Sequence, residues 1–388
     1  MGVLRVSTTF GVAIFYTALV LWMSLHTMPE TQHDSCIDVP SAVAPSTFSQ
    51  PDATELKQPK TAASELQQPK PGSPSATVPP LECKPQNHSG VVYTSFDIVQ
   101  PLNETIPALD PTTSVCHYRS NKSEFGNYHF PHSLQQLLLC HSFWESQNAT
   151  RRVLYVKGGK KFALRSKYNT GMLKAIKGHW NVQVERELPP EVVNASAIPQ
   201  MTDLRLPYVV GNPNDLKSLR SGILQYYKIT HQMRDEPVIG LVNREGSRKL
   251  LNVEALRHLI GDQFTVKEAT FEKMSFLDQI QFMSEIDIFV TPHGAQMTSL
   301  FAMPDCGRIL EIYPLNYLWP DFFGSLASGI GLNFSYIYTG LDPVFARENK
   351  KRRVQMARAR MHDVCPRVEV VHEAILEHAE AWRRCTAR

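Results

Sequence analysis

The sequence lacks several signatures that would define a protein class at once. Its seven cysteines form no C-x-x-C pair, which gives no support to a zinc or thioredoxin-like site. The net charge of +3 is small for 388 residues and argues against nucleic acid as the main partner. No D-x-D occurs, so the closely spaced carboxylate pair that often holds a divalent cation is missing. We therefore assign no metal site and expect no metal cofactor.

The sequence does have the features of a protein of the secretory lumen. It contains six N-x-[S/T] sequons, whereas roughly two would be expected by chance from average composition. Glycosylation at such sites requires the secretory pathway, where widely spaced cysteines usually pair. Six of the seven cysteines follow residue 80 and allow fifteen pairings, so the connectivity stays open.

One segment near the N-terminus is apolar enough to cross a bilayer. Phe10 to Leu25 carries no charge, and the uncharged window of residues 6–28 can span the ~30 Å hydrocarbon core. Arg5 precedes it, which favours a cytoplasmic N-terminus. The alternative is a cleaved signal peptide, but the sequence shows no clear small-x-small cleavage site. We expect residues 1–28 to form a cytoplasmic tail and a type II anchor.

Residues 29–85 are rich in proline and include an imperfect repeat, T-E-L-K-Q-P-K and S-E-L-Q-Q-P-K. Such a segment buries too little apolar surface to fold, and its prolines favour an extended, disordered stalk. A basic segment lies near the C-terminus and consists of Lys350-Lys351-Arg352-Arg353 with Arg347, Arg358 and Arg360 nearby. This basic segment is either a solvated helix face or a contact to an acidic substrate or to donor phosphates.

The remaining chain indicates two α/β halves, an N-terminal one at 86–235 and a C-terminal one at 236–345, followed by a helical segment at 346–388. The C-terminal half alternates short apolar runs with helical periodicity, which is typical of a Rossmann-like domain with a parallel sheet. Its predicted strands lie at 237–242, 264–266, 286–291 and 308–313. The N-terminal half is less regular, with a helix predicted at 133–142 and strands at 153–156 and 182–184.

Two polar segments follow strands of the C-terminal half, at the sheet edge where open α/β proteins bind ligands. His293, Gly294 and Ala295 come after the third strand and precede a short helix, whose N-terminus suits a diphosphate. Arg244 and Arg248 follow the first strand, and guanidinium groups suit bidentate phosphate contacts. A structural turn and a solvated loop are the alternatives for the two segments taken singly.

These motifs resemble glycosyltransferase family 61. The matching features are the arginine pair R-x-x-x-R, a glutamine before an apolar strand, H-G-A, an M-P pair and E-x-x-P, with G-N-x-x-H-x-x-H in the first half. In this chain they correspond to Arg244 and Arg248, Gln279, His293-Gly294-Ala295, Met303-Pro304, Glu311 to Pro314, and Gly126 to His132. The resemblance covers roughly residues 125–320, although 150–235 contribute little. Two departures are Ser133-Leu134, where an acidic residue is common, and Gln296, where a small or apolar residue is usual.

The resemblance implies a GT-B fold, two Rossmann-like domains that face a cleft, and inversion at the anomeric carbon. It implies transfer of xylose, N-acetylglucosamine or arabinose from a UDP-sugar to a glycan or glycoprotein hydroxyl, in the Golgi or endoplasmic reticulum membrane. Arg244, Arg248, His293, Gly294 and Ala295 would then bind the donor without a metal ion. The alternative is a catalytically inactive luminal glycan-binding protein that retains the fold, and the change at Ser133 is what favours it.

The catalytic base is less clearly indicated than the donor site. His132 or His129 is favoured, with a helix-capping cluster as the alternative, and Asp203 is a further acidic candidate in the N-terminal half. Glu311, at the end of the fourth strand, is expected either to bind the donor ribose or sugar or to form a structural salt bridge.

Overall fold

A computed structural model describes residues 83–88, 90–96, 113–118, 130–147, 150–156, 166–186, 208, 212–341 and 358–388. The predicted anchor, residues 29–82 of the predicted stalk, and the segment 342–357 lie outside these ranges. Among the residues that the structure describes, no helix is both long and apolar enough to span a bilayer.

One sheet contains six strands, five of them from the C-terminal half: β1 Val91–Thr94, β5 Ile239–Asn243, β6 Val266–Thr270, β7 Ile288–Pro292, β8 Arg308–Tyr313 and β9 Asn333–Tyr338. Their order in the sheet is β1-β9-β8-β7-β5-β6. The five strands from the C-terminal half run parallel, and β1 pairs antiparallel with β9 at one edge. The parallel sheet confirms the predicted α/β class, while β1 and β9 were not predicted.

Helical segments connect consecutive strands of this sheet, as the predicted alternation requires. They are α4 Val253–Gly261, α5 Phe276–Ser284, the 3-10 helix Ala295–Ala302 and α6 Pro320–Gly329, and α7 Val368–Thr386 ends the chain. Ser275 caps α5, since its hydroxyl accepts from the Asp278 amide while Asp278 bonds back to the Ser275 amide. The predicted second strand is displaced: β6 begins at Val266, where the prediction ended.

The N-terminal half forms a separate parallel sheet of three strands, in the order β2-β3-β4. Its elements are β2 Thr113–Tyr118, α1 Phe130–Gln147, β3 Arg151–Val156, α2 Lys167–Trp180, β4 Val182–Glu185 and α3 Pro213–Tyr226. The predicted helix and two strands are present, and β2 was missed. We refer to the two layers as the large sheet and the small sheet.

One hydrophobic core connects the small sheet to one face of the large sheet. At its centre, Phe276 of α5 lies edge-on to Tyr168 of α2, with 4.8 Å between ring centroids. Gly171 permits this approach, because a Cβ there would lie 2.5 Å from the Phe276 Cβ. A second core fills the opposite face of the large sheet, where Ile375 of α7 packs with Leu256 of α4.

Three disulfides join the six cysteines that follow residue 80. Cys116–Cys140 links β2 to α1, and Cys306–Cys385 links the loop before β8 to α7. Cys83–Cys365 ties the start of the described chain to the segment before α7. This disulfide lies within two residues of the predicted end of the stalk at residue 85, and that boundary stays a prediction.

Candidate active site

The loop after β5 is held by the side chain of Asn243. Its Oδ1 accepts from the backbone amides of Arg244 and Leu250, both at 2.8 Å, and its Nδ2 donates to the Leu250 carbonyl at 2.9 Å. An asparagine often organises a turn in this way. Arg248 within the loop has φ of 65°, in the left-handed region that costs a non-glycine residue about 1 kcal/mol. The loop keeps both predicted arginines at the carboxyl edge of the sheet.

Arg244 is half-buried, and within the described part of the chain its guanidinium is bonded to uncharged groups. Its Nε donates to the Ser247 carbonyl at 2.7 Å, and its Nη1 donates to Gln296 Oε1 at 2.8 Å. Burial lowers the pKa of Arg244, the charge of Arg360 lowers it further, and Glu272 opposes the shift. Arg244 therefore reaches the loop after β7 while its charge stays unmatched by a carboxylate contact.

Gly294 lets the guanidinium of Arg244 and the amide of Gln296 approach the backbone closely, and a larger residue would have to displace both side chains. A Cβ at Gly294 would lie 1.9 Å from Nη1 of Arg244 and 2.2 Å from Oε1 of Gln296. Gln296 is buried, and its Nε2 donates to Thr291 Oγ1 at 3.0 Å and to the Pro292 carbonyl at 2.5 Å. The amide therefore anchors Arg244 to the end of β7.

Arg248 is a buried cation without a bonded partner. Its exposed fraction is 7 %, and it makes no hydrogen bond or ion pair with any residue in the described part of the chain. Burial lowers its pKa to about 10, with Arg244 adding to the effect and Tyr317 opposing it. Because an uncompensated buried charge costs several kcal/mol, of order 3–5, this position suits a bound anion.

His293 is the centre of a buried hydrogen-bond network at the ends of β7 and β8. Its Nδ1 lies 2.5 Å from Glu311 Oε1, and its Nε2 lies 3.1 Å from the Tyr317 hydroxyl. The Tyr313 hydroxyl donates to Glu311 Oε2 at 2.5 Å. Burial raises the pKa of Glu311 well above its usual range, and the Tyr313 hydrogen bond and the Arg248 charge oppose this.

Glu311 is the acidic member of this network. The side chain is completely buried, and its two oxygens bond to His293 and Tyr313. A carboxyl group in this position fixes the orientation of the imidazole, as it does behind catalytic and metal-bound histidines. Contact of Glu311 with a donor ribose or sugar and a structural salt bridge both stay predictions.

His132 is the one predicted base candidate that the structure describes. It lies in the first turn of α1, its Nδ1 is 2.9 Å from Gln135 Oε1, and its ring lies edge-on to Phe322 of α6 at 5.6 Å. Phe323, the next residue, lies 5.6 Å from the His293 ring. The start of α6 therefore packs between the two histidines. Burial lowers the pKa of His132, and the Arg360 charge lowers it further.

Of the other predicted site residues, some lie in the described part of the chain and some do not. Ala295 begins the 3-10 helix, whose N-cap Gly294 has no side-chain cap. His129 and Asp203 lie outside the described residues and stay predictions. Gln279, matched above, has a structural role: its Nε2 donates to the Phe271 and Met274 carbonyls, and its Oε1 accepts from Ser299.

Three neighbouring residues were not foreseen as part of the site: Tyr313, Tyr317 and Gln296 in its anchoring role. Tyr313 is the last residue of β8 and Tyr317 lies four positions later, a spacing that gives no chemical signal by itself. Gln296 was noted as a departure from the family pattern, and in the structure its side chain forms hydrogen bonds to Arg244, Thr291 and Pro292. No group of three or more His, Cys, Asp or Glu in the described ranges is arranged to hold a metal ion.

The fold and this edge define an α/β protein with unpaired arginines at the carboxyl ends of a parallel sheet, a setting that suits a phosphorylated ligand. The family model of glycosyltransferase 61 matches residues 77–310, more than half of the chain. The chain therefore belongs to glycosyltransferase family 61, a family of transferase enzymes, and the resemblance noted from its motifs is confirmed.

Curated relatives match over a shorter stretch. The EGF domain-specific O-linked N-acetylglucosamine transferase of Bos taurus is 33% identical over 70 residues, which is 17% of this chain and 13% of that protein. The Mus musculus protein of the same name is 34% identical over 70 residues, with the same shares. The Xenopus laevis protein is 34% identical over 77 residues, or 19% of this chain and 15% of its own. The matched segment is thus a small fraction of each relative.

Proposed function

We propose that this chain is an inverting glycosyltransferase that moves a sugar from a UDP-sugar to a hydroxyl of a glycan or glycoprotein in the secretory pathway. The observation that carries the proposal is the pair Arg244 and Arg248. Both are buried or half-buried and lie at the carboxyl edge of the large sheet, and no carboxylate of the described residues is bonded to either. A donor diphosphate is the ligand that best compensates these charges.

The reaction needs a bond exchange at the anomeric carbon. The acceptor oxygen forms a bond to this carbon as the bond to the diphosphate oxygen breaks, and the leaving nucleoside diphosphate takes the electron pair. Its added negative charge would be met by Arg244, Arg248 and the amides at the start of the 3-10 helix. His293, neutral or cationic, would donate a hydrogen bond to the leaving group, and the Glu311 side chain orients it by holding its Nδ1 side.

The proton of the acceptor hydroxyl requires a base, and we assign this to His132. Burial lowers its pKa, so the imidazole is neutral near pH 7 and able to accept a proton. With Nδ1 donating to Gln135, Nε2 would carry the lone pair. His129 and Asp203 remain alternative bases.

The inactive, glycan-binding alternative was favoured by the serine at 133. Ser133 is completely buried, and its hydroxyl bonds to Tyr118 at 3.1 Å and to Asn169 Nδ2 at 2.9 Å. A residue in this position faces the interior of the small sheet, where it could not act on an acceptor. The change at 133 therefore does not remove a reactive group from the site, and the transferase proposal is preferred.

The GT-B arrangement and the luminal location belong to the same proposal. Two parallel sheets, one in each half, agree with a GT-B fold. Three disulfides agree with an oxidising compartment, and the two sequon asparagines in the described ranges, Asn87 and Asn333, are both exposed. A mobility shift on peptide N-glycosidase treatment, with protease protection in intact microsomes, tests the type II orientation in the Golgi or endoplasmic reticulum.

A donor panel tests the activity directly. The full chain, purified in mild detergent, is incubated with UDP-N-acetylglucosamine, UDP-xylose and UDP-arabinose, and UDP release is measured with and without EGF-domain and glycan acceptors. UDP-N-acetylglucosamine comes first because of the curated relatives' name. We expect one donor to be turned over and the product to have inverted anomeric configuration. Donor binding without hydrolysis or transfer in any combination would instead support the glycan-binding alternative.

A further inference from the structure

The segment before α7 lies against the arginine loop, although it is distant in sequence and outside the matched residues 77–310. The Val364 amide donates to the Lys249 carbonyl at 2.9 Å, and the Leu251 amide donates to the Val364 carbonyl at 3.0 Å. This is a short parallel bridge between Leu250 and Val364. It joins the segment directly to the residues that follow Arg248.

Further contacts hold the segment in this position. The Lys249 amide donates to Asp363 Oδ1 at 2.8 Å, and Asn252 Nδ2 donates to the Pro366 carbonyl at 2.5 Å. The disulfide Cys83–Cys365 adds a covalent connection. These contacts, made by residues 363–366, hold the segment beside the arginine loop a few positions after Arg360.

Arg360 is the residue of this segment that faces the site. Its guanidinium carbon lies 5.9 Å from the centroid of the Tyr317 ring, and the Tyr317 hydroxyl bonds to His293. A guanidinium at this distance gains from the ring's electron-rich face. Among the described residues Arg360 has no ion pair or hydrogen bond, so its donors are not engaged by a carboxylate.

The charge of Arg360 also reaches the other cations of the site. It lowers the pKa of Arg244, Arg248 and His132. Three arginines from two distant parts of the chain thus share one region, and their mutual repulsion disfavours the empty site. Repulsion among buried or half-buried like charges is relieved when an anion binds between them.

We propose that Arg360 is a third phosphate-binding arginine, which the C-terminal segment brings to the nucleotide diphosphate beside Arg244 and Arg248. The inference rests on the proposed function, since it names the diphosphate of the donor as the ligand. Of the two alternatives for the basic segment, a solvated helix face or a contact to phosphates, the proposal assigns Arg360 to the second. Residues 342–357, including the four consecutive basic residues, lie outside the described ranges.

Nucleotide binding tests this without requiring turnover. The full chain in mild detergent is titrated by calorimetry with UDP, uridine and inorganic pyrophosphate, as wild type and as Arg360→Ala, Arg360→Lys and Arg358→Ala. Arg358 is exposed and two residues away, so its variant is the matched control. We expect Arg360→Ala to weaken UDP and pyrophosphate binding about 5- to 30-fold, as a charged contact worth about 1–2 kcal/mol implies. Uridine binding should change less than about twofold.

The conservative variant and salt separate a phosphate contact from a structural role. Arg360→Lys should retain part of the affinity for UDP, because it keeps the charge but loses the planar fork. Raising NaCl should weaken UDP binding more in wild type than in Arg360→Ala, since one screened interaction is already missing. Unchanged UDP affinity in Arg360→Ala would contradict the proposal. An equal loss for UDP and uridine would also contradict it, because it would indicate that Arg360 only supports Tyr317.

The outcome for the wild-type protein separates this inference from the proposed function. If wild type binds UDP and Arg360→Ala binds it equally well, the arginine pair remains the donor site and only Arg360 is excluded. If wild type binds neither pyrophosphate nor UDP, GDP, CDP or ADP, both the proposed donor site and the contribution of Arg360 are wrong.

Discussion

The large and small sheets are both parallel layers covered by helices, but the charged groups buried beside them differ in their partners. In the small-sheet half, buried Asp215 of α3 accepts a hydrogen bond from the Asn212 amide at 3.2 Å. At the amino end of β7 in the large sheet, buried Asp287 forms an ion pair with Arg234 at 3.2 Å. The carboxyl edge of the large sheet instead buries Arg248, which has no bonded partner among the described residues. Because a buried charge is expensive unless it is paired, a cation without a partner at this edge indicates where a ligand is bound.

The largest effect is expected from acid, because low pH protonates buried histidines in both the small-sheet half and the large-sheet half. His141 in α1 and His378 in α7 are buried, and burial lowers the pKa of each to about 4. Their unfolded value is 6.5, so the unfolded state binds more protons as pH falls from 6.5 to about 4. Stability present above pH 6.5 should decrease through this window, by up to about 3 kcal/mol for each histidine.

Urea unfolding of wild type, His141→Gln and His378→Gln at pH 7 and pH 4.5 measures this loss. Each variant should lose less stability on acidification than wild type, because its amide stays neutral at both pH values. Equal losses in all three proteins would mean that neither histidine is held neutral by burial.

The next largest effect is expected on activity when Arg244 or Arg248 at the large-sheet edge is replaced. Arg244→Ala or Arg248→Ala should lower kcat/KM on the order of 10- to 100-fold, since a charged contact contributes roughly 1.5–3 kcal/mol. The leaving diphosphate gains charge in the transition state, so kcat should fall as well as donor affinity. Lysine at either position should restore little, because it cannot make the two-pronged contact.

Arg151 of the small sheet supplies the matched control for those variants. Its Nε donates to Gln183 Oε1 at 3.0 Å, away from the large-sheet edge. Arg151→Ala should leave steady-state kinetics within about twofold of wild type, as a surface change usually has a small effect. Wild-type kinetics in a folded Arg244→Ala or Arg248→Ala protein would remove the main support for the donor site.

Elements with a clear local pattern were predictable from sequence, and elements that depend on distant contacts were not. β5 and β7 are continuous apolar runs followed by polar residues, so their carboxyl ends and the positions of Arg244 and His293 were predicted. β2, T-S-V-C-H-Y, alternates weakly and was missed. β1 pairs with β9, a contact between residues more than 200 positions apart, and no local pattern encodes such pairing.

Long-range contacts also explain what was missed in the site. Glu311 bonds to His293, which lies at the end of a different strand, and this contact could not be read from the chain alone. Arg360 was one member of a basic segment, and only the bridge from Val364 to the arginine loop distinguishes it from its neighbours. The pairing of the six cysteines required the fold for the same reason.

A smaller effect is expected from the residue that anchors Arg244. Gln296→Leu keeps the side-chain size but removes the hydrogen bonds to Arg244, Thr291 and Pro292. The guanidinium should then sample other rotamers, and kcat/KM should fall about tenfold, roughly the 1.4 kcal/mol of one charged hydrogen bond. Acceptor KM should hardly move, which initial-rate kinetics with each substrate varied in turn would measure.

Ser133→Ala in the small sheet is the control for Gln296→Leu. It removes a buried hydrogen-bond partner of Asn169 and should destabilise the fold by about 1–2 kcal/mol. Donor KM should stay unchanged, because the group does not face the donor site. A Gln296→Leu protein with wild-type donor kinetics would show that Arg244 does not depend on this anchor.

Chelation should have the smallest effect of all. The charge of the leaving diphosphate is assigned here to Arg244, Arg248 and the amides at the start of the 3-10 helix, which EDTA cannot remove. Activity should therefore fall less than about twofold in EDTA, and added Mn²⁺ should not raise it further. The Arg248→Ala variant tests this most directly. If arginines neutralise the diphosphate, the activity of this variant stays low with or without Mn²⁺. A loss of more than about tenfold in wild type on chelation, restored by Mn²⁺, would mean that a metal ion stabilises the leaving group. The unpaired arginines at the large-sheet edge would then bind the nucleotide without carrying the main electrostatic part of the reaction.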